Sequence, residues 1–450
     1  MILPALPARL RRGTARDPLA PLHGTAAELL HWRTRATDPA FATSWQRVTQ
    51  RADTFLGRDP TTTVWPGNQL EEPWNAVRIA HQQQAPNRTP GRRRGDDLRD
   101  AAFVALLAKD PSARAQVLAA LEAQIACPGT AFADRTRWDP TRTGGDYNNF
   151  EIANWLRKLA YGYSYIRAHV AASRRSPLDA WFTAAGAFWC EALAGVLASR
   201  FAQRLADQYG LPAPPHTPGT CKAFSHLGGH PVWKFQEVWF NIPATFHALL
   251  AVLGVLTQQH GFLDAAKRFA KEWLMFAVAR DGTVADQWRW NETGNPQTGY
   301  GYAATALGSV LTIADHLARL GDRELYQLTT SYGLYGWDGG PKSLLVAMQR
   351  LAQLGLAERD LVPEGAAYAQ TEGPELPAQR LGPGPTSVAE TVLLPAQLYY
   401  QDPTVAAVLA RPRPTTPTAG GYDPWGGDWG CYPSLPFMWD GLAGVVWPYP

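Results

Sequence analysis

Apolar residues recur at helical spacing in one segment after another of this 450-residue chain. Leu249, Leu250, Leu253 and Leu256, for example, fall on one side of a helix. Strand-like alternation of polar and apolar residues is rare, so the chain is expected to be mainly α-helical. The spacing predicts helices over 25–35, 41–56, 97–109, 112–126, 149–173, 177–209, 243–258, 261–279, 300–320, 322–330, 341–355 and near 387–400.

Paired helices joined by loops of unequal length fit two architectures. An α-solenoid would show self-similarity at a period of about 34 to 45 residues, and none is found. An (α/α) toroid closes antiparallel helix pairs into a ring with the long loops at one mouth. We therefore expect an all-α chain, an (α/α) toroid or incomplete barrel, in which 1–450 forms a single catalytic domain. Residues 58–96 would form a long loop or arm, and 356–450 a Pro/Gly/Trp-rich tail that wraps the mouth.

Composition limits the classes of molecule that the protein is expected to bind. A formal net charge of +3 is too small to indicate a nucleic acid. Of the 42 basic residues only 7 are Lys, which leaves 35 Arg. A GC-rich genome would produce this bias, and so would recognition of carboxylates or sulfates by guanidinium groups.

The remaining composition signals concern cysteines, membranes and location. The four cysteines lack metal-ligand spacing, although the sequence permits one disulfide among them. They are Cys127, Cys190, Cys221 and Cys431. No apolar run is long enough for a membrane span. Because its charges follow a short apolar run, the N-terminus does not read as a signal peptide. We expect a cytoplasmic protein, or a secreted or periplasmic one if a signal peptide has been removed, and a monomer or weak homo-oligomer.

The segment 281–326 concentrates polar and aromatic side chains where a loop enters a helix. It begins with the turn Asp281-Gly282, passes through WRWNE (288–292) and reaches Gly299–Tyr302 just before an amphipathic helix. Side chains at such a junction can face a cleft instead of the core. Loops rich in Trp, Tyr, Asn and Arg suit a groove in which sugar rings stack on indoles.

This segment resembles the alginate lyases and related polysaccharide lyases with helical-barrel folds. Those proteins carry a DG turn, a strip with Glu and Arg, and a Tyr that opens a helix ending in IA…G…LY. When Ile313-Ala314 and Gly321 are aligned, the catalytic Tyr of the family falls on Tyr302. The resemblance covers roughly residues 230 to 330. It implies a toroid that cleaves an anionic, uronic-acid-containing glycan, such as alginate or glucuronan, without a metal or other cofactor.

Uronic-acid lyases cleave by β-elimination, and this chemistry defines the side chains to look for. A base removes the C5 proton next to the carboxylate, and an acid protonates the leaving glycosidic oxygen. Because that proton is barely acidic while the carboxylate keeps its charge, neutral donors or cations must withdraw charge from it. A Tyr or His with a tuned pKa moves the protons.

The resemblance and the local pattern together give the candidate catalytic residues. Tyr302 is the first choice for proton transfer and Tyr300 the second, although both could simply pack the first helical turn. Asn241 opens the neighbouring helix and takes the role of the family's Asn, but Ile242 stands where the family has His. The carboxylate histidine is therefore sought elsewhere, and Arg289 is expected to hold the sugar chain. The histidine candidates are His226, His230 and His247, the last of which could instead be a core residue.

Further polar and aromatic residues could line the groove. Lys234 lies in the loop before the Asn241 helix, and Trp288, Trp290 and Glu292 surround Arg289. Tyr147 and Asn149 open another helix, where Asn149 could alternatively serve as an N-cap. We expect these six residues to bind an anionic polysaccharide or oligosaccharide.

Two other functions remain open. A toroid glycoside hydrolase would need two carboxylates, which Asp281, Asp286, Glu292 and Asp338 could supply. A glycan-binding protein would use the same aromatic groove without catalysis.

Overall fold

The protein is all-α, built from paired antiparallel helices in an (α/α) toroid. The computed structural model describes residues 17, 19–60, 90–126, 146–209, 239–287, 296–332, 340–356, 391–411 and 432–439. The helices are α1 (Ala26–Arg35), α2 (Ala42–Leu56), α3 (Pro90–Ala108), α4 (Pro111–Ala126), α5 (Asp146–Ile166), α6 (Ala172–Tyr209), α7 (Asn241–Thr257), α8 (His260–Phe276), α9 (Pro296–Arg319), α10 (Glu324–Gln327), α11 (Leu344–Gly355), α12 (Leu394–Tyr400), α13 (Pro403–Leu409) and α14 (Leu435–Trp439).

Local sequence explains where several helices begin. A capping box starts α1, because the Thr25 side chain accepts the Glu28 N–H and the Glu28 carboxylate accepts the Thr25 N–H. The carboxylate of Asp110 accepts the backbone N–H groups of Ser112 and Ala113 at the start of α4. Pro111 fits there because the first helical position needs no N–H donor.

Helices α3 and α5 run parallel to each other. A Cβ placed on Gly95 of α3 would meet Trp155 and Lys158 of α5, whereas one on Gly162 of α5 would meet Arg99 of α3. The contact therefore advances along both helices in the same direction. The two glycines permit this close approach, because a Cβ added at Gly162 would lie only 2.6 Å from the Leu98 side chain.

Helices α5, α7 and α9 continue the parallel row. Arg167, just after α5, donates to the carbonyl of Leu256 in the last turn of α7 at 2.7 Å, so the C-terminal ends of these helices meet. Thr245 in the second turn of α7 lies beside Ser309 of α9, with 3.3 Å between their hydroxyl oxygens. Helices α4, α6 and α8 lie between successive members of the row in sequence. We call α3, α5, α7 and α9 the inner helices.

The row of inner helices curves around an interior. The Tyr161 hydroxyl of α5 lies 3.0 Å from Nε2 of His316 on α9, although α7 lies between these helices in the row. A flat row of three helices would hold the outer two roughly 16 to 20 Å apart, given interaxial distances of 8–10 Å. The Tyr161–His316 contact therefore requires curvature, as a toroid has and a flat stack does not.

Described segments near both ends of the chain, 19–35 and 432–439, pack between the C-terminal halves of the inner helices. Trp32 of α1 donates to the Met438 carbonyl at 2.8 Å. The ring of His23 lies 4.8 Å from that of Tyr432 and 5.6 Å from that of Trp439. We call this end the base, and we call the end formed by the N-termini of the inner helices the mouth.

Most expected helices are present, with shifted bounds. One of the larger shifts is in α3, which begins at Pro90 and so includes residues 90–96 of the expected arm. Two short helices, α13 and α14, lie in the expected tail. Residues 432–439 of that tail pack at the base, whereas Arg411, just after α13, donates to the Gly355 carbonyl at the end of α11. Residues 61–89 of the arm lie outside the described residues, and the single-domain assignment stays a prediction.

Within the described ranges the structure contains two isolated β-bridges and no strand. Among the same residues no helix is long and apolar enough to cross a membrane.

Candidate active site

The N-terminal ends of α7 and α9 lie at the same end of the molecule. The backbone N–H of Asn241, the first residue of α7, donates to Oδ1 of Asp286 at 3.0 Å. Asp286 belongs to the segment that leads from α8 to α9. The ring of Trp239 lies 4.9 Å from that of Phe276 at the end of α8. Helix α8 thus returns the chain to the start of α7, and α9 begins from the same side.

Asp286 caps α7 from outside the helix. The N-cap residue Phe240 offers no side-chain acceptor, so the first N–H groups of α7 need another partner. The Asp286 carboxylate, which is fully buried, takes the Asn241 N–H. A negative charge at this end also interacts favourably with the helix dipole. Asp286 therefore holds the start of α7, and with it Asn241, in a fixed position.

Tyr300 and Tyr302 lie on opposite sides of α9. Two residues along an α-helix correspond to about 200° of rotation. Tyr300 is 4% exposed, and its hydroxyl donates to the carbonyl of Leu351 on α11 at 3.4 Å. Its contacts are those of a residue that packs α9 against α11.

Tyr302 is half-buried and shares a side of α9 with Ser309, seven residues later. Because Ser309 contacts Thr245, this side of α9 is directed toward α7. Asn241 lies one turn before Thr245, whose hydroxyl donates to the Asn241 carbonyl at 2.9 Å. Asn241 and Tyr302 therefore continue the α7–α9 contact toward the mouth, on neighbouring parallel helices.

His247 packs between α7 and α8. Its Nδ1 lies 2.8 Å from the Pro243 carbonyl oxygen, and its ring stacks on Phe269 with 4.0 Å between centroids. Burial lowers the pKa of His247 to about 4, so the ring is neutral at neutral pH. These contacts match those of a core histidine, which was the alternative for this residue.

The other candidates cannot be compared in the same detail. Tyr147 and Asn149 lie in the first turn of α5, whose N-terminus also belongs to the mouth, but their side chains are not described. The remaining candidates lie outside the described residues: His226, His230, Lys234, Trp288, Arg289, Trp290 and Glu292.

The structure also reveals a buried ionic network in α3 and α5 that sequence reasoning did not use. Asp96 binds Lys158 at 2.6 Å and Arg99 at 2.8 Å. Burial alone would raise the pKa of Asp96, but these two positive charges outweigh it and lower the pKa. Burial, together with the adjacent charge of Asp96, raises the pKa of Asp97 to about 6. The acidic residues of DDLRD (96–100) at helical spacing were the available signal.

The carboxylates considered for hydrolysis make structural contacts where they are described. Asp281 accepts the backbone N–H and the hydroxyl of Thr283, and lies 3.5 Å from Arg350. Asp286 caps α7. Glu292 and Asp338 lie outside the described residues. The described geometry therefore offers no pair of carboxylates directed at one groove.

Comparison with known proteins identifies a fold. No family model and no curated protein matches the sequence. Among solved structures, a variant of alginate lyase A1-III complexed with a tetrasaccharide matches with a TM-score of 0.52 and 12% identity, covering 94% of this chain and 96% of that chain. Alginate lyase A1-III from Sphingomonas species A1 matches with a TM-score of 0.45 and 11% identity, covering 77% of this chain and 75% of that chain.

The resemblance that the 281–326 segment indicated is thus confirmed at the level of the fold. The match at a TM-score of 0.52 extends over nearly the whole of both chains, far beyond residues 230–330. The chain has the (α/α) toroid fold of alginate lyase A1-III.

Proposed function

We propose that this protein is a polysaccharide lyase that cleaves a uronic-acid-containing, anionic glycan by β-elimination. The observation that carries the proposal is that Asn241 and Tyr302 lie in the N-terminal halves of the neighbouring helices α7 and α9. An amide side chain and a half-buried phenol lie on neighbouring parallel helices, in a fold shared with an alginate lyase. β-Elimination needs this combination of a group that withdraws charge and a group that moves protons.

Tyr302 is the proposed proton-transferring residue. Of the two candidate tyrosines, Tyr302 lies on the side of α9 that faces α7. Tyr300 instead packs against α11, where its hydroxyl donates to the Leu351 carbonyl. A positioned acid–base group contributes roughly 10²- to 10⁴-fold to a rate. The phenol of Tyr302 would take the C5 proton or donate to the leaving oxygen.

Asn241 is proposed to interact with the uronate carboxylate through its side-chain amide. The positive end of the α7 dipole would otherwise attract the same carboxylate. Asp286 already takes the first N–H of that helix, so its negative charge offsets much of this attraction. Neutralisation of the substrate therefore depends on side chains, for which Arg289 and a histidine, His226 or His230, are proposed alongside Asn241.

The groove that binds the glycan is proposed to extend from Asn241 along the segments that precede the inner helices. Trp288, Trp290 and Tyr147 would stack on sugar rings, whereas Glu292, Lys234 and Asn149 would bind hydroxyl and carboxylate groups. Hydrolysis is the second candidate function, and the structural roles of Asp281 and Asp286 count against it.

A panel of uronic polymers tests the proposal. Alginate, its separate mannuronate and guluronate blocks, and glucuronan are each incubated with the full chain. Each elimination creates one new reducing end and one unsaturated uronate that absorbs in the ultraviolet. The proposed activity therefore produces these two groups in equal numbers. Reducing ends without this absorbance would identify a hydrolase. Binding without either signal would identify a glycan-binding protein.

A further inference from the structure

The base of the toroid contains a cluster of metal-ligand side chains that the proposed reaction does not use. His23, Asp315 and His316 are all fully buried or nearly so. Each offers one ligand atom, and these three atoms lie within 4.8 Å of one another. We propose that His23, Asp315 and His316 bind a divalent transition-metal ion such as Zn²⁺, which ties the N-terminal segment to α9.

One pair of ligand atoms has the separation expected of two ligands that share a metal ion. Nε2 of His23 lies 3.5 Å from Oδ2 of Asp315, which is longer than the 2.7–3.2 Å of a normal hydrogen bond. Two ligands of a tetrahedral zinc ion, each roughly 2.0–2.2 Å from the metal, are about 3.3–3.6 Å apart. The His23–Asp315 pair therefore needs little rearrangement to share an ion.

The chemistry of the ligands selects the type of metal. Two imidazoles and one carboxylate suit zinc and its neighbours in the transition series, whereas calcium and magnesium prefer oxygen ligands. The Tyr161 hydroxyl lies 3.0 Å from Nε2 of His316 and could complete or support the coordination. Because the cluster is buried at the base, the ion would be structural and out of reach of a polysaccharide.

Positive charges nearby limit the affinity. Arg319 donates to Oδ2 of Asp315 at 2.8 Å, which would oppose a metal ion at that oxygen. However, two further nitrogens of Arg319 bind the Glu28 carboxylate at 3.0 and 3.1 Å, so Glu28 neutralises much of this charge. Arg157 also acts on the cluster, since its charge lowers the pKa of Tyr432 against the stronger effect of burial. We expect weaker binding than at a four-ligand structural zinc site.

The position of the cluster indicates a structural role for the ion. His23 precedes α1, and its ring is surrounded by Tyr161, His316, Tyr432 and Trp439. Asp315 and His316 belong to the last turns of α9. An ion shared between them would join the N-terminal segment to an inner helix where the C-terminal segment also packs. Binding to the folded chain alone would raise its stability.

The test uses the full chain after treatment with a chelator, reloaded with Zn²⁺ and separated from free metal by gel filtration. We expect one zinc per chain by elemental analysis and a rise in Tm of roughly 2 °C. His23→Gln and His316→Gln should each lose most of the bound zinc. His260→Gln, which removes an exposed histidine at the start of α8, is the matched control and should retain it.

Failure of the wild-type chain to retain zinc would overturn the proposal, as would retention of full stoichiometry by His23→Gln. If the variants do not fold, X-ray absorption on the zinc-loaded wild type decides. Two imidazoles and a carboxylate around the ion would support the site. A shell of water and exposed oxygen ligands would identify an adventitious ion only. None of these measurements depends on lyase activity.

Discussion

The mouth and the base of the toroid are built from the same inner helices but from different kinds of contact. At the base, the segments 19–35 and 432–439 insert aromatic rings between the C-terminal halves of the helices, and Trp439 is 1% exposed. At the mouth, the helix starts carry Asn241 and the half-buried Tyr302. The base is thus suited to hold four helices parallel, and the mouth is the end that we propose binds the ligand. Substitutions at the two ends should therefore separate stability from activity.

The largest effect is expected at the mouth, from Tyr302→Phe. The change removes one hydroxyl and should lower kcat by roughly 10²- to 10⁴-fold, while Tm and glycan affinity stay near wild type. Tyr300→Phe is the matched control on the same helix and should retain activity, since that hydroxyl bonds to Leu351. Loss of activity in Tyr300→Phe alone would place the catalytic tyrosine two residues earlier. Full activity in both variants would assign the proton transfer to a histidine.

The reverse pattern is expected at the base, from Trp439→Ala. Truncation of a buried Trp typically costs about 3–5 kcal/mol of unfolding free energy, because it removes buried area and leaves a cavity. The folded fraction should keep the wild-type kcat. Denaturant unfolding and activity per folded molecule check this prediction. A fall in kcat without a fall in stability would show that the two ends are coupled.

The pH dependence of the unfolding free energy, through His247, also tests the separation of stability from activity. Above pH 6.5 the imidazole is neutral in both states, so it contributes no pH dependence. Below pH 6.5 the unfolded chain binds a proton that the folded chain binds only near the lowered pKa of about 4. The unfolding free energy should therefore fall by roughly 3 kcal/mol between pH 7 and pH 4 through this group. Denaturant unfolding of His247→Phe should show a correspondingly flatter pH profile.

His247→Phe should also keep wild-type turnover, because the ring is packed against Phe269 and not directed toward α9. A large loss of kcat at an unchanged Tm would instead give His247 the carboxylate role.

Asp286→Asn should produce a smaller effect on catalysis, through the position of Asn241. The amide keeps an acceptor but loses the charge that caps α7, so kcat should fall by up to about 100-fold with a smaller change in KM. Stability should fall by about 1 kcal/mol. Asp402→Asn is the matched control, because Asp402 caps α13 through the N–H groups of Thr404 and Val405. That control should lose similar stability and no activity, and equal kinetics in the two variants would remove Asp286 from the site.

The helices could be predicted closely from sequence because their buried apolar residues recur at helical spacing. Helix α7 was expected at 243–258 and is found at Asn241–Thr257, where apolar residues repeat at helical spacing. The start of α3 was expected later, because Arg92, Arg93 and Arg94 carry no apolar pattern. Helices α13 and α14 were missed because prolines made the tail resemble a loop.

The site could be predicted only in part, because its details depend on distant residues. Sequence placed Asn241 and Tyr302 at helix starts, but the preference for Tyr302 over Tyr300 depends on the Leu351 carbonyl of α11. Asp286, which caps α7, lies 45 positions after Asn241 in the sequence. The cluster of His23 with His316 joins the segment before α1 to the end of α9, and no local spacing indicates it.

The mass of the products tests the central claim most directly. Alginate or glucuronan oligosaccharides of defined length are digested with the wild-type chain and with Tyr302→Phe, and the fragments are weighed by mass spectrometry. Elimination adds no water, so each new non-reducing-end fragment should be one water lighter than a saturated oligosaccharide of the same length. These fragments should be nearly absent from the Tyr302→Phe digest. The other fragment of each elimination keeps the full saturated mass, so only a digest in which every fragment carries that full mass would show hydrolysis and contradict the account.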